Sequence, residues 1–306
     1  MPSNQSPLGA LPARFRRSRV LIVGCGDVGL RTARALGAGP RLLALTSQPA
    51  RVAPLRAAGL QPVVGNLDSP ASLRRLAGLA QYVVHLAPPP GSADTDPRTR
   101  NLVLALRRRG GPSSLVYAST SGVYGDCAGA LVPESRPLAP RSARALRRVD
   151  AETYLRLWGR ALATRVSILR VPGIYAPNRE GGTPLARLRQ GAPVLVASED
   201  VFTNHIHADD LARACVLALW RGRAQRSYNI NDDEQLPMGD YMTAAAALYG
   251  LPAPPRLSRT EAAKVLSPMQ MSFLEESRRL DNRRMKQELR LRLRYPSALA
   301  GLAAGL

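Results

Sequence analysis

Lysine is nearly missing from this chain. It occurs only at Lys264 and Lys286, so the positive charge is carried almost throughout by arginine. Acids are scarce as well: 22 Asp and Glu face 43 Lys and Arg over 306 residues, a formal net charge of +21. Three cysteines, Cys25, Cys127 and Cys215, lie far apart and are odd in number. That excludes a disulfide framework and a cysteine metal motif, and it suits a reducing cytoplasm. No apolar run approaches membrane-spanning length, and the opening Met-Pro-Ser-Asn-Gln-Ser-Pro has no signal-peptide core. The basic charge comes without an RNP-like segment, a helix-turn-helix signature or zinc spacing. Its arginines are scattered along the chain, which argues for arginine preference over lysine and against a nucleic-acid partner.

What is present is ordinary globular composition, 45% hydrophobic and 21% charged. From Val20 onward, short apolar runs alternate with helical patterns. Val20-Leu-Ile-Val23, Leu42–Leu45, Pro62–Val64, Tyr82–Leu86, Ser114–Ala118 and Val166–Arg170 read as strands, separated by helices. This βαβ repetition predicts an α/β fold: a Rossmann-type doubly wound parallel sheet with a smaller, mixed C-terminal substrate-binding region. The expected organisation is a tail over 1–18, a dinucleotide-binding domain over 19–171, and a substrate region over 172–306 interleaved with the core. The longest helical pattern, Ser142 to Ala163, spaces Leu146, Val149, Thr153 and Leu157 for one face. Polar, arginine-rich helices are expected up to Leu291, and Ala298–Leu306 reads as a loosely attached terminus.

Gly24-Cys-Gly-Asp-Val-Gly29 directly follows a strand and opens a helix. There the first glycine permits the tight turn, the second lets a pyrophosphate approach the backbone, and the third lets helix and strand pack. Asp27 and Val28 begin the helix whose N–H groups would face the phosphates. NAD-preferring folds usually place an acid about 20 residues on. Here no Asp or Glu lies between Asp27 and Asp68. The second strand instead ends at Thr46 and Ser47, with Arg51 a turn later, a set suited to a 2′-phosphate. NADP is therefore the expected cofactor and NAD the alternative; Arg51 as a solvated helix residue is the competing reading.

Further segments carry a family likeness: Gly65-Asn-Leu-Asp68, Val116-Tyr-Ala-Ser-Thr-Ser-Gly-Val-Tyr-Gly125, Leu169-Arg-Val-Pro-Gly-Ile-Tyr-Ala-Pro177 and His205-Ile-His-Ala-Asp-Asp-Leu211. With the glycine turn they make the chain resemble the extended, epimerase/dehydratase-like branch of the short-chain dehydrogenase/reductase superfamily, as an atypical member. The resemblance implies an NAD(P)-dependent oxidoreductase or epimerase/dehydratase-like enzyme acting on a small-molecule substrate, and the arginine surplus of this chain suits an anionic one. It implies that Asn66 and Leu67 border the adenine, that Leu86, Ala87 and Pro88 run along the cofactor, and that Thr120 occupies the catalytic Ser/Thr position beside Ser121. It also implies a Tyr-x-x-x-Lys pair, which this chain lacks. Counting back from Glu152, Arg148 falls at the lysine position and Arg144 at the tyrosine position. Arg148 binds cofactor, with Arg144 beside the substrate, or else Arg148 pairs with Glu152 four residues on and Arg144 is a solvated charge. A catalytically silent dinucleotide-binding sensor or scaffold is the alternative function.

Residues that would replace the absent phenol are Tyr124, at the loop tip, and His205, two from His207 on one strand face. His207 also reads as a packed strand-end histidine. Tyr175 is expected to line the crevice, and Glu134 to be a turn residue. Two histidines and an Asp have no third partner at metal spacing, so no metal is expected. The arginine-rich helix over 141–160 lies where relatives pair, which suits a homodimer.

Overall fold

The computed structural model describes residues 17–305 apart from Ala93 and Phe273. Of the expected tail, residues 1–16 lie outside the described residues. Seven parallel strands form the central sheet: β1 (Arg19–Val23), β2 (Arg41–Thr46), β3 (Gln61–Val64), β4 (Tyr82–His85), β5 (Ser114–Thr120), β6 (Arg165–Val171) and β7 (Arg226–Asn229), in the order β3-β2-β1-β4-β5-β6-β7. The chain leaves β1 toward β2 and β3, then crosses back to β4, so the switch point lies between β1 and β4. Strand β1 shows why its apolar run forms a central strand. Val20 and Ile22 pack into one core with Ala33, Ala214 and Cys215, while Leu21 and Val23 pack into another with Leu102, Leu115 and Trp158. The helices α1 (Asp27–Leu36) and α4 (Ala208–Arg221) cover the first face; α2 (Pro97–Leu106) and α3 (Ala143–Ala161) cover the second.

The chain does not finish the sheet before starting its smaller region. Gly173–Tyr175 pairs with His205–His207, and only afterwards do α4 and β7 close the sheet edge. Leu131–Val132 pairs with Arg279–Leu280, so a late segment docks on the loop after β5. Val194–Leu195 pairs with Arg256–Leu257, with α5 (Met238–Leu248) packed nearby. Among the described residues, no helix is long and apolar enough to cross a membrane.

Three expectations change. In α3 the predicted stripe is mostly outward: Leu146 is 38% and Leu157 57% exposed, Thr153 is exposed, and Val149 is half-buried against Val123 and Tyr124. The buried face is instead Ala145, Arg147, Ala151, Glu152, Leu155, Trp158 and Gly159. A buried acid and close helix–strand packing replace the apolar period; a methyl on Gly159 would come within 2.6 Å of Val166 Cγ2. The arginine-rich helices before Leu291 are short: Arg259–Val265, Pro268–Ser272 and one π-helical turn, Met285–Leu289. The terminus is not loose over Ala298–Ala303, which is helical. Ser297 Oγ accepts from the Ala300 amide at 3.1 Å, and Ala298 and Leu302 are buried.

Candidate functional site

Two cavities open at the C-terminal ends of the strands. One, of about 660 Å³, surrounds the glycine turn; the other, of about 690 Å³, lies over the end of β5. Val28, Leu86 and Ile174 line both, so the two spaces adjoin.

The glycines of the turn have three distinct duties. Gly24 has φ +83°, and a Cβ there would meet the Ala87 nitrogen at 2.4 Å. Gly29 packs the helix on the strand, since a Cβ would stand 3.1 Å from the Gly24 carbonyl. Nothing lies within 4 Å of a Cβ built on Gly26, which faces the open cleft. A backbone that only glycine permits, beside an open floor at a helix N-terminus, fits a dinucleotide's pyrophosphate. Asp27, Thr46, Ser47, Arg51, Asn66, Leu67, Ala87 and Pro88 line this cleft as well. Arg51 is held: its guanidinium donates to the Cys25 carbonyl at 2.7 Å. Thr46 Oγ1 accepts from the Gln48 amide at 3.2 Å, and Asn66 Oδ1 from the Asp68 amide at 2.9 Å.

Sequence reasoning missed two arginines here. Arg98 grips Asp68 with two bonds of 2.7 Å. Arg179 reaches over from the loop after Tyr175 to Asp27 Oδ2 at 2.8 Å. Burial works to raise the Asp27 pKa, but bonds from Arg179 and Arg31 outweigh it and hold the carboxyl below its ordinary range. Nothing in the spacing of Arg179 announced this role, because a loop arginine has no periodicity to read.

The second cavity gathers Thr120, Ser121, Arg144, Arg148 and His205. Thr120 Oγ1 accepts from the Gly122 amide at 3.2 Å and starts a single 3-10 turn, so β5 ends with its hydroxyl at the cavity wall. Ser121 is buried in the same wall. Arg148 donates to the Tyr117 hydroxyl at 3.0 Å and to the Ala118 carbonyl at 2.7 Å. Its pairing with Glu152 is not seen. Glu152 instead turns under the cavity floor, where it binds Arg170 at 2.8 and 3.2 Å and accepts from Ser119 Oγ at 2.6 Å. This buried ion pair fixes the residue before Thr120. Arg144 is exposed at the cavity mouth.

Two expected site residues are elsewhere. Tyr124 is 1% exposed and does not reach the cavity. Its hydroxyl donates to Asn229 Oδ1 at 2.7 Å and accepts from Arg170 at 2.9 Å, and burial pushes its pKa up to about 12. It completes the buried network and has no substrate to protonate. Tyr175 is also buried, its hydroxyl donating to the Ser297 carbonyl at 3.0 Å beneath the terminal helix. Burial raises its pKa far above the ordinary range. The neighbouring Gly173 and Ile174 line the cavity instead.

His205 is in place but not as an acid. Its ring lies 4.3 Å from that of Tyr241, and Nε2 is 3.4 Å from Thr203 Oγ1. Burial pushes its pKa down to about 4, so it is neutral at pH 7 and has a lone pair to offer. His207 is packed: Nδ1 accepts from the Asp209 amide at 3.1 Å, capping α4, and its ring stacks on Tyr295 at 3.7 Å. Behind this strand the Asp232 amide donates to the His205 carbonyl at 2.8 Å. The Asp232 carboxyl is buried, and Oδ2 has no partner among the described residues. Burial, with Glu234 adding, pushes its pKa up to about 8. Glu134 is more than a turn residue: buried, it accepts from the Asn229 amide at 2.9 Å. Phe202, Asn204, Met238 and Arg278 complete the cavity from segments whose sequence carries no motif. Among the described residues, no three His, Cys, Asp or Glu are grouped to hold a metal ion.

Comparison with known proteins agrees with this geometry. The profile of the NAD dependent epimerase/dehydratase family matches residues 20–231. GDP-6-deoxy-D-mannose reductase of Pseudomonas aeruginosa is 26% identical over 184 residues, 55% of this chain and 60% of that protein. The match thus spans about 60% of the length of that reductase. A functionally unknown conserved protein from Silicibacter pomeroyi DSS is 30% identical in structural alignment, with TM-score 0.76 over 94% of this chain and 97% of its own. The dTDP-glucose 4,6-dehydratase of Streptomyces venezuelae, solved with NAD bound, shares the fold at TM-score 0.75 and 24% identity, over 94% and 95% of the two chains.

Proposed function

We propose a function from one premise: the chain belongs to the NAD dependent epimerase/dehydratase family. The reading is an NAD(P)-dependent enzyme that oxidises or reduces a carbinol or carbonyl carbon of a small, anionic, sugar-nucleotide-like substrate. The observation that carries it is the adjoining pair of cavities, one at the glycine turn and one at Thr120, joined at Val28, Leu86 and Ile174. A scaffold needs the first cavity and not the second.

Gly26 and the head of α1 would hold the pyrophosphate, Asn66 and Leu67 the adenine side, and Leu86 to Pro88 the run toward the nicotinamide. A bound nicotinamide would accept or deliver the hydride. Thr120 donates its hydroxyl hydrogen to the substrate oxygen. Arg148 and Arg144 set positive charge beside that oxygen, in place of the tyrosine–lysine pair, and stabilise it electrostatically rather than by giving a proton. Neutral His205, on the same wall, accepts a hydrogen bond from a substrate hydroxyl and so orients it.

NADP is the preferred form in this reading. Thr46, Ser47 and the anchored Arg51 line the cleft at the end of β2, and no Asp or Glu occurs from Val28 to Leu67 to compete with a 2′-phosphate there. Titration of the purified protein with NADPH and NADH tests this; tighter NADH binding overturns the preference. Oxidation of the bound form against a panel of sugar nucleotides and simple carbonyl compounds tests the activity. Tight cofactor binding with no turnover on any member would return the silent sensor. The reading includes a homodimer through α2 and α3, where Leu104, Leu146 and Leu157 are exposed. Light scattering at the monomer mass overturns that part.

A further inference from the structure

The cofactor cleft contains an arrangement that glycine-turn logic alone does not require. Asp27 is the first residue of α1, where an incoming pyrophosphate would meet helix N–H groups. A carboxylate at that point repels the ligand the helix attracts. Two arginines neutralise it, and they differ in freedom. The Arg31 side chain is 4% exposed and tied three ways: to Asp27 at 3.0 Å, to Asp209 at 2.6 Å and to Asn178 at 2.6 Å. The Arg179 side chain is 29% exposed, lines the cleft, and among the described residues bonds Asp27 alone through its side chain. Its loop is short and closed on itself. The Arg179 amide donates to Ala176 O, the Gly182 amide to Arg179 O, and the Ala176 amide to Gly182 O, with Gly181 at φ +63°. Asn178, next in sequence, anchors the loop on Arg31.

We propose that Arg179 is a clamp for the dinucleotide's pyrophosphate, delivered from the substrate half and held ready on Asp27. On binding, the guanidinium trades the carboxylate for phosphate oxygens, while Arg31 stays and keeps Asp27 neutralised. A guanidinium suits this exchange because its fork fits carboxylate and phosphate equally well. The clamp spans the cleft, so it also joins cofactor occupancy to the loop that follows the strand lining the substrate cavity. This inference rests on the dinucleotide reading of the cleft.

The experiment is calorimetric titration of the full chain with three probes: NADPH, ADP, and adenosine 2′-monophosphate, which has no pyrophosphate. Arg179→Ala is expected to weaken NADPH and ADP about tenfold or more, the size of one lost charge-assisted contact, and to leave adenosine 2′-monophosphate within about twofold. Asp27→Asn separates the clamp from a merely structural tie. It frees Arg179 and removes a repelling charge, so NADPH binding is expected to stay equal or tighten. Arg179→Gln serves if the alanine variant does not fold. Equal NADPH binding by wild type and the Arg179 variants overturns the clamp and leaves the function reading intact. So does weakening of all three probes alike, or a loss in Asp27→Asn matching that in Arg179→Ala. A wild-type chain that binds neither NADPH nor NADH overturns both.

Discussion

The two adjoining cavities are built by different means. The cofactor cleft is made by backbone: a left-handed glycine, an open glycine and a packed glycine within six residues, at the head of one helix. The cavity at Thr120 is lined from the end of β5, the start of α3, Gly173–Ile174, Phe202–His205, Met238, Ser272, Glu275, Glu276 and Arg278. Local geometry specifies the floor of the first, although Asn66, Arg98 and Arg179 bring its walls from farther along the chain. The second exists only when distant segments have met, and a buried polar network beneath it holds them in register. A shared fold therefore says much about the cofactor and little about the substrate.

The sharpest break of this contrast lies within the glycine turn itself. Gly24→Val combines a left-handed backbone with a clash on Ala87, and is expected to cost about 4 kcal/mol or more in stability. Gly26→Ala meets no neighbour, so it is expected to keep the melting temperature within a few degrees and lose cofactor affinity. Denaturant melts with cofactor titration check both, and a Gly24 variant as stable as wild type sinks the argument.

Next is the network under the second cavity. Glu152→Ala leaves Arg170 buried without its carboxylate and is expected to cost about 3–5 kcal/mol. If urea melts show less than 1 kcal/mol, the pair does not hold the floor.

A pH test follows. The Asp232 carboxyl keeps its proton in the folded state up to about pH 8, against 3.8 for an ordinary aspartate. The native state therefore binds more protons through that window, and stability from this group falls as pH rises from 4 to 8. Asp232→Asn is expected to gain on wild type as pH rises, by about 1.4 kcal/mol per pH unit inside that window. His205 has the opposite sign: its folded pKa is depressed to about 4 from 6.5, so its contribution is lost as pH falls through that interval. A flat difference between Asp232→Asn and wild type from pH 5 to 8 removes this account.

The smallest expected effect is the most local. Thr120→Ala is expected to lower kcat about tenfold to a hundredfold, with cofactor Kd unchanged. Unchanged turnover would remove Thr120 from the reaction.

The same contrast explains what the sequence disclosed. The strands from Val20 to Arg170, the glycine turn, and the placement of Arg51 and Thr120 at the cavities follow from short-range patterns: apolar runs, a six-residue motif, a strand end. Arg179, Asn204 and Arg278 do not, because each acts through a partner far away in the chain. Tyr124 and Tyr175 misled for a related reason. Both follow cavity-lining residues closely, yet Arg170 with Asn229 and the terminal helix draw them inward. In α3 the expected spacing chose the wrong residues: Ala151, Leu155 and Trp158 face inward beside the buried Glu152 and the closely packed Gly159, while Leu146 and Leu157 stay exposed.

The pairing of Leu131–Val132 with Arg279–Leu280 has a kinetic meaning. Arg279 also donates to the Gly129 carbonyl across 150 residues. Closing a loop of that length carries its entropy cost before any contact rewards it. Refolding is thus expected to restore the glycine turn early and the substrate cavity late. An intermediate in which cofactor quenches fluorescence before the cavity exists would be its signature.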